Sequence, residues 1–150
     1  MAMREGLLSI REQIMAQLLE RAKGYIPTAT RDPIRRQEAG LPQLVLQDVA
    51  EAKDVPVFWK HQLLLTVSAT LVDAIDPQSQ SLSTLANQHL ARLIAALLMP
   101  DITLGGLCNA IEYESSAIRY PEPGEIVLGV SVMFSVRYSI ALGNPYSQFQ

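Results

Sequence analysis

Cysteine and histidine are scarce in this chain. One cysteine, Cys108, among 150 residues leaves nothing for an internal disulfide framework and excludes a Cys-rich zinc site. A reducing compartment is the expectation that follows. Two histidines, His61 and His89, exclude a multi-histidine metal centre. Positive charge is not in excess: 12 Lys and Arg stand against 15 Asp and Glu, a net charge of −3. With a pI near 5.3, that balance argues against a protein that coats nucleic acid through bulk charge, while leaving room for a local basic patch. Long apolar runs are missing too. The longest uncharged one, 93–99, falls far short of the roughly 20 residues a membrane span needs. Arg4, Glu5, Arg11 and Glu12 occupy the stretch where a signal peptide would carry its apolar core. Gly105-Gly106 is not followed by the Lys-Ser/Thr of a phosphate-binding loop, and no Gly-x-Ser-x-Gly elbow occurs. Internal repeats and low-complexity segments are likewise lacking.

What is present suits one globular domain over residues 1–150. Hydrophobic residues make up 49% and charged residues 18%, enough apolar material for a core. The expectation is a soluble intracellular domain. Leu7, Ile10, Ile14 and Leu18 recur at helical spacing and predict a first helix over 4–23, stopped at Gly24. Pro27, Pro33, Gly40 and Pro42 break up the next stretch, with room for a short strand over 26–31. A strand over 44–49 and a polar turn over 51–56 follow. Strict alternation then predicts a long strand over 58–72. Leu63, Leu65, Val67, Ala69 and Leu71 share one face, with Leu64, Thr66, Ser68, Thr70 and Val72 on the other, more polar one. Asp73 and Asp76 fall in the turn after it.

Residues 81–98 predict a second helix. Leu82, Leu85, Leu90, Leu93 and Leu97 lie on its wide apolar stripe, with Ser79 or Ser81 as the cap and Pro100 beyond the end. A strand over 108–114 and a second long strand over 125–138 complete the series. In the latter, Ile126, Leu128, Val130, Val132, Phe134, Val136 and Tyr138 share a face. The tail from about 143 reads as loose. The fold class predicted is α+β: a two-layer sandwich of a mainly antiparallel sheet of about four strands, with two long helices packed on one face.

Candidate functional residues are few. His89 lies on the apolar stripe of the second helix, which favours a core or edge histidine satisfied by one hydrogen bond over a ligand or switch. His61 reads the same way. A Cys108–His dyad lacks an orienting third group, and a buried, inert Cys108 is the simpler reading. Glu112 and Glu114 share a face if their segment is a strand, but without companion ligands they read as solvated surface. Two segments stand out as contact surfaces. Arg31, Arg35 and Arg36 form the densest positive cluster, either a solvated loop or a surface for an acidic partner face, since Arg pairs bidentately with carboxylates. Val57, Phe58 and Trp59 are large and apolar at the edge of a polar turn. They either plug the core or anchor an interface, where Trp is favoured.

Three segments of the second half have a familiar order. Asp101-Ile102-Thr103-Leu104-Gly105-Gly106-Leu107 follows directly on an amphipathic helix. Phe134-Ser135-Val136-Arg137-Tyr138 ends a long strand, and Gly143-Asn144-Pro145-Tyr146 comes after it. With the opening Ile10-Arg11-Glu12-Gln13-Ile14 helix, the chain resembles, over nearly its whole length, the tail terminator (minor tail or tail-completion) proteins of long-tailed phages and prophages. The resemblance rests on order and spacing, and the segment 44–58 departs from it most. It implies a small α+β domain with helices on one face of the sheet. It also implies a structural role without catalysis or cofactor: a ring, typically a hexamer, that caps the tail tube, stops its polymerisation and offers a surface for head joining. The partners implied are further copies of the chain, the tail tube protein and a head–tail joining protein. Sequence-specific nucleic-acid binding and a membrane are not implied. The setting would be the bacterial host cytoplasm during assembly, then the virion tail or a prophage-derived particle. The alternatives are another head–tail joining (neck or connector) protein and, in a different class, a small α+β enzyme or ligand-binding domain.

Overall fold

The computed structural model describes residues 7–32, 40–76 and 81–149. The elements run α1 (Ile10–Tyr25), β1 (Gln43–Lys53), β2 (Lys60–Ala74), α2 (Leu82–Leu98), β3 (Ala110–Arg119), β4 (Val127–Ala141) and β5 (Asn144–Gln148). The strands form one antiparallel sheet in the order β1-β2-β4-β3, with β5 also pairing β4. The α+β class is as the sequence predicts, but five strands replace the expected four.

Alternation decides which face of the sheet is covered. β2 and β4 pair along their full length, from Lys60 opposite Ala141 to Ala74 opposite Val127. Leu65, Val67, Ala69 and Leu71 of β2, with Leu128, Val130, Val132, Phe134, Val136 and Tyr138 of β4, point to one side and are buried. Both helices pack there: Ile14, Met15 and Leu18 of α1 and Ala86, Leu93 and Leu97 of α2 join the same core. Ile126, expected on the inner face, precedes β4 and is exposed.

Local chemistry moves several boundaries. α1 starts at Ile10 because the Ser9 side chain accepts from the Glu12 N–H at 3.1 Å, satisfying an otherwise orphaned donor. It runs through Gly24 and ends at Tyr25. There Pro27 holds Ile26 extended (φ −118°, ψ 104°). Ser81 caps α2 as expected. The expected strand over 26–31 reduces to one parallel bridge, Thr30 with Val45, because prolines at 27 and 33 bracket it. β1 continues through the expected turn to Lys53, opposite Leu63. The turn therefore shifts to 54–59 and β2 begins at Lys60, placing Phe58 and Trp59 outside the strand. Asp73 belongs to β2 rather than to the turn after it.

β3 begins at Ala110 and runs on to Arg119, because the long β4 backbone requires a partner along its other edge. Beyond Ala110, that edge of β4 is taken by the tail. Gly143 adopts φ +68°, a left-handed turn position, and β5 folds back to pair Asn144 with Ala141. The expected loose tail is thus a strand as far as Gln148.

The α2–β3 connection closes one end of the core. Leu104 is buried to 1% exposure while holding φ +52°. Asp101 organises the loop: one carboxylate oxygen accepts from the Thr103 N–H and hydroxyl (2.8 and 2.6 Å) and the other from the Gly105 N–H (2.8 Å).

Phe134 heads the fully buried side chains. Phe134→Ala should cost about 3–5 kcal/mol, read as a lowered urea midpoint at unchanged slope; a loss below about 1 kcal/mol would show that this central position does not set the core.

Candidate functional site

The β1–β2 turn carries the most exposed aromatic residues of the chain. Lys53 opposite Leu63, and the Asp54 N–H donated to the Gln62 carbonyl at 2.8 Å, fix the base of the hairpin. Pro56 has no N–H to continue the ladder. Phe58 is 95% exposed and Trp59 58% exposed, with Val55 exposed and Val57 half-buried. Of the two sequence readings, core plug or surface anchor, the geometry leaves the aromatic rings outside the core. Leaving Phe58 in water forgoes roughly 1.5–3 kcal/mol of burial. An exposed apolar tip of this kind is a candidate contact surface.

Arg31 is engaged within the chain. It pairs with Glu12 of α1 and lies 3.4 Å from Asp48 of β1. Arg11 meets Asp48 at 2.8 Å and Glu51 at 3.7 Å, and the Tyr138 hydroxyl donates to Glu51. These part-buried pairs tie α1 to β1 across the side of the core. Desolvation pushes the Asp48 carboxyl up, but its bonds to Arg11 and its own backbone, with the charge of Arg31, bring it net below the usual range. Burial, reinforced by Glu51, pushes the Tyr138 phenol well up. Arg35 and Arg36 lie outside the described residues.

The polar residues with catalytic potential are bound into the frame. His89 is buried and makes two hydrogen bonds rather than one: Nδ1 with the Tyr25 hydroxyl and Nε2 with Asp73 at 3.0 Å. This bridge joins the end of α1, α2 and β2. Burial raises the Tyr25 hydroxyl, against the opposing influence of Arg92. Cys108 donates to the Ile102 carbonyl at 3.4 Å. Burial, then Asp101, pushes its thiol up to about 11, the reverse of nucleophile activation. His61 is half-buried in β2. Glu114 accepts from Ser135 at 2.5 Å, and Glu112 lies 4.0 Å from Arg137. Among the described residues no group of three His, Cys, Asp or Glu is arranged to hold a metal ion, and no helix is long and apolar enough to cross a membrane.

Sequence reasoning missed a concavity of about 710 Å³ on the uncovered face of the sheet, at the end far from the hairpin tip. Thr70 and Val72 of β2, Ala117 of β3, and Val127, Gly129 and Ser131 of β4 line it. Its cause is register. Thr70 and Ala117 both sit opposite Ser131, and Val72 and Arg119 both sit opposite Gly129. Gly129 has no side chain and Thr70, Ala117 and Ser131 have short ones, so the surface sinks beside Arg119, which also lines it. Each strand alone shows only a polar face, so the signal appears once the strands are paired.

Compared with protein-family models and with curated proteins, the chain finds no match.

Hydrogen bonds to Thr103 and Gly105 hold the Asp101 carboxyl at about 2. A folded-state value below the unfolded one near 3.8 means the stabilisation is complete above about pH 4 and is lost as pH falls towards 2. Asp101→Ala should lower the thermal midpoint at pH 7 and flatten its acid dependence between about pH 4 and 2. A variant with the parent's full acid slope would remove Asp101 from this role.

Proposed function

We propose that the chain is a structural assembly protein of the tail-terminator kind. On this reading it forms a ring on the end of a phage or prophage tail tube, stops tube growth and presents a face for head joining. The observation that carries the reading is the exposed aromatic hairpin tip. A protein whose work is contact must leave apolar anchors uncovered in the single chain, and Phe58 and Trp59 are so placed. The order of segments supports it, as does the agreement between the expected architecture, helices on one face of an antiparallel sheet, and the observed one. The chemistry of the polar residues points the same way. His89, Asp73 and Tyr25 satisfy one another, and the Cys108 thiol is held protonated. A ring needs two different complementary patches on each subunit. On this reading the tip supplies one of them, while the Arg31 guanidinium is engaged within the chain by Glu12 and Asp48. The partners on this reading are further copies, the tube protein and a joining protein, met in the host cytoplasm and then in the particle.

Removing the protein from an assembling system should give tails of abnormal length and heads without tails. Restoring Phe58→Ala/Trp59→Ala in its place should rescue poorly, and light scattering of the parent protein should find a species near six times 16.5 kDa. Tails of normal length joined to heads in its absence would end this reading.

A further inference from the structure

The consecutive tip residues Val55-Pro56-Val57-Phe58-Trp59 carry no charge, and a lysine stands close on either side, Lys53 before them and Lys60 after. The two lysines leave the sheet on opposite faces. Lys53 pairs with Leu63 on the helix-covered face, and Lys60 shares the open face with Gln62. Leu142 extends the apolar surface. Ala141 pairs with Lys60, so the next residue along the chain lies beside Trp59 at the end of the ladder, and it is exposed. The acids nearby are answered within the chain. Arg137 lies between Asp54 (3.6 Å) and Glu112 (4.0 Å), and Arg11 meets Glu51 at 3.7 Å. Neither lysine takes part in these pairs; the Lys60 ammonium lies over the ring of Phe149, 5.5 Å from its centroid.

We propose that the tip docks on the surface of an anionic lipid bilayer, its apex in the interfacial layer and its lysines among the headgroups. Charge and shape select this partner. Two tips brought together would set like charges face to face, so the lysines call for a counterpart that is negative as well as apolar. Phe58, at 95% exposure, stands clear of its own chain, so the apex is convex. A protein partner must offer a cleft cut to fit it, whereas a bilayer closes around an apolar protrusion of any outline. Trp settles at the level of the headgroups, and Lys keeps its ammonium in water while its stem lies against apolar surface. Peripheral binding of this kind grows with the apolar area inserted and with attraction to anionic lipid. The inference goes beyond the assembly reading and does not rest on it: it concerns the single chain, whose tip an assembled ring would cover.

Trp59 is the only tryptophan of the chain, so the unmodified protein carries its own probe. Its emission should shift to the blue on adding phosphatidylcholine vesicles that contain phosphatidylglycerol, and lipids brominated on the acyl chain should quench it. Phe58→Ser should lower the partition coefficient about tenfold or more, the loss expected for one buried aromatic side chain. Lys53→Gln/Lys60→Gln should lower it about tenfold on these vesicles and leave it unchanged on phosphatidylcholine alone. The substituted side chains lie outside the core, and the circular dichroism of both variants should match the parent. Absence of lipid-dependent quenching overturns the proposal, as does quenching indifferent to the two lysines. In place of lipid quenching, a blue shift that follows protein concentration without vesicles would put the tip in a contact between copies. A blue shift on soluble polyglutamate alone would put it on an acidic protein. Either overturns the lipid assignment. Tail length in the assembling system reports on the proposed function separately.

Discussion

The architecture follows from a mismatch of lengths. β2 and β4 are 15 residues each, about 50 Å of extended chain. α1 and α2 are 16 and 17 residues, about 25 Å of helix. Even laid along the strands, two helices cover only part of the sheet they must keep dry. Other pieces close the remainder: the α2–β3 loop inserts Leu104, the stretch around Ala29 docks through the Thr30–Val45 bridge, and β5 returns to the end of β4. The Arg11–Asp48–Arg31 cluster clamps α1 to the β1 edge where apolar cover is thinning. Where no cover is supplied, the hairpin simply projects.

The periodic parts of this fold are legible in the amino-acid sequence. Alternation over 58–72 and 125–138 identifies the two central strands and their inner faces, because a half-buried antiparallel strand writes its burial into every second residue. The cap and the stripe of the helix over 81–98 place it almost to the residue. Features that depend on a partner are not legible. β5 reads as a polar tail, and only the free edge of β4 makes it a strand. Arg31 reads as part of a solvated or partner-facing cluster, and only the approach of α1 to β1 brings Glu12 and Asp48 to it. The apolar stripe puts His89 in the core, where it lies, yet its two partners are 64 and 16 residues away, beyond the reach of local pattern. Residue type singles out the aromatic tip, while its exposure depends on the shift of the turn to 54–59.

The two faces of the sheet divide the labour. The inner face is closed by apolar packing, and its buried histidine is hydrogen-bonded through both ring nitrogens. The outer face carries polar pairs towards the hairpin end, where Gln62 links Ser139 and Asn109, and sinks into the small-residue concavity at the other. The packed core and the concavity thus lie on opposite sides of a single sheet.

Two of the three irregularities of register have a consequence of their own. One extra residue interrupts β1 between Asp48 and Ala50, and another interrupts β3 between Tyr113 and Ser115. These are the outer strands, while the central β2–β4 ladder runs unbroken. A bulge bends the strand that carries it and breaks the even row of N–H and C=O groups that a foreign strand would need as a template. Charges flank both sites: Asp48 and Glu51 on one edge, Glu112 and Glu114 on the other. A sheet left open to water on one face is thereby guarded against stacking edge to edge into fibrils. Both outer edges are thereby poor templates for indefinite strand pairing.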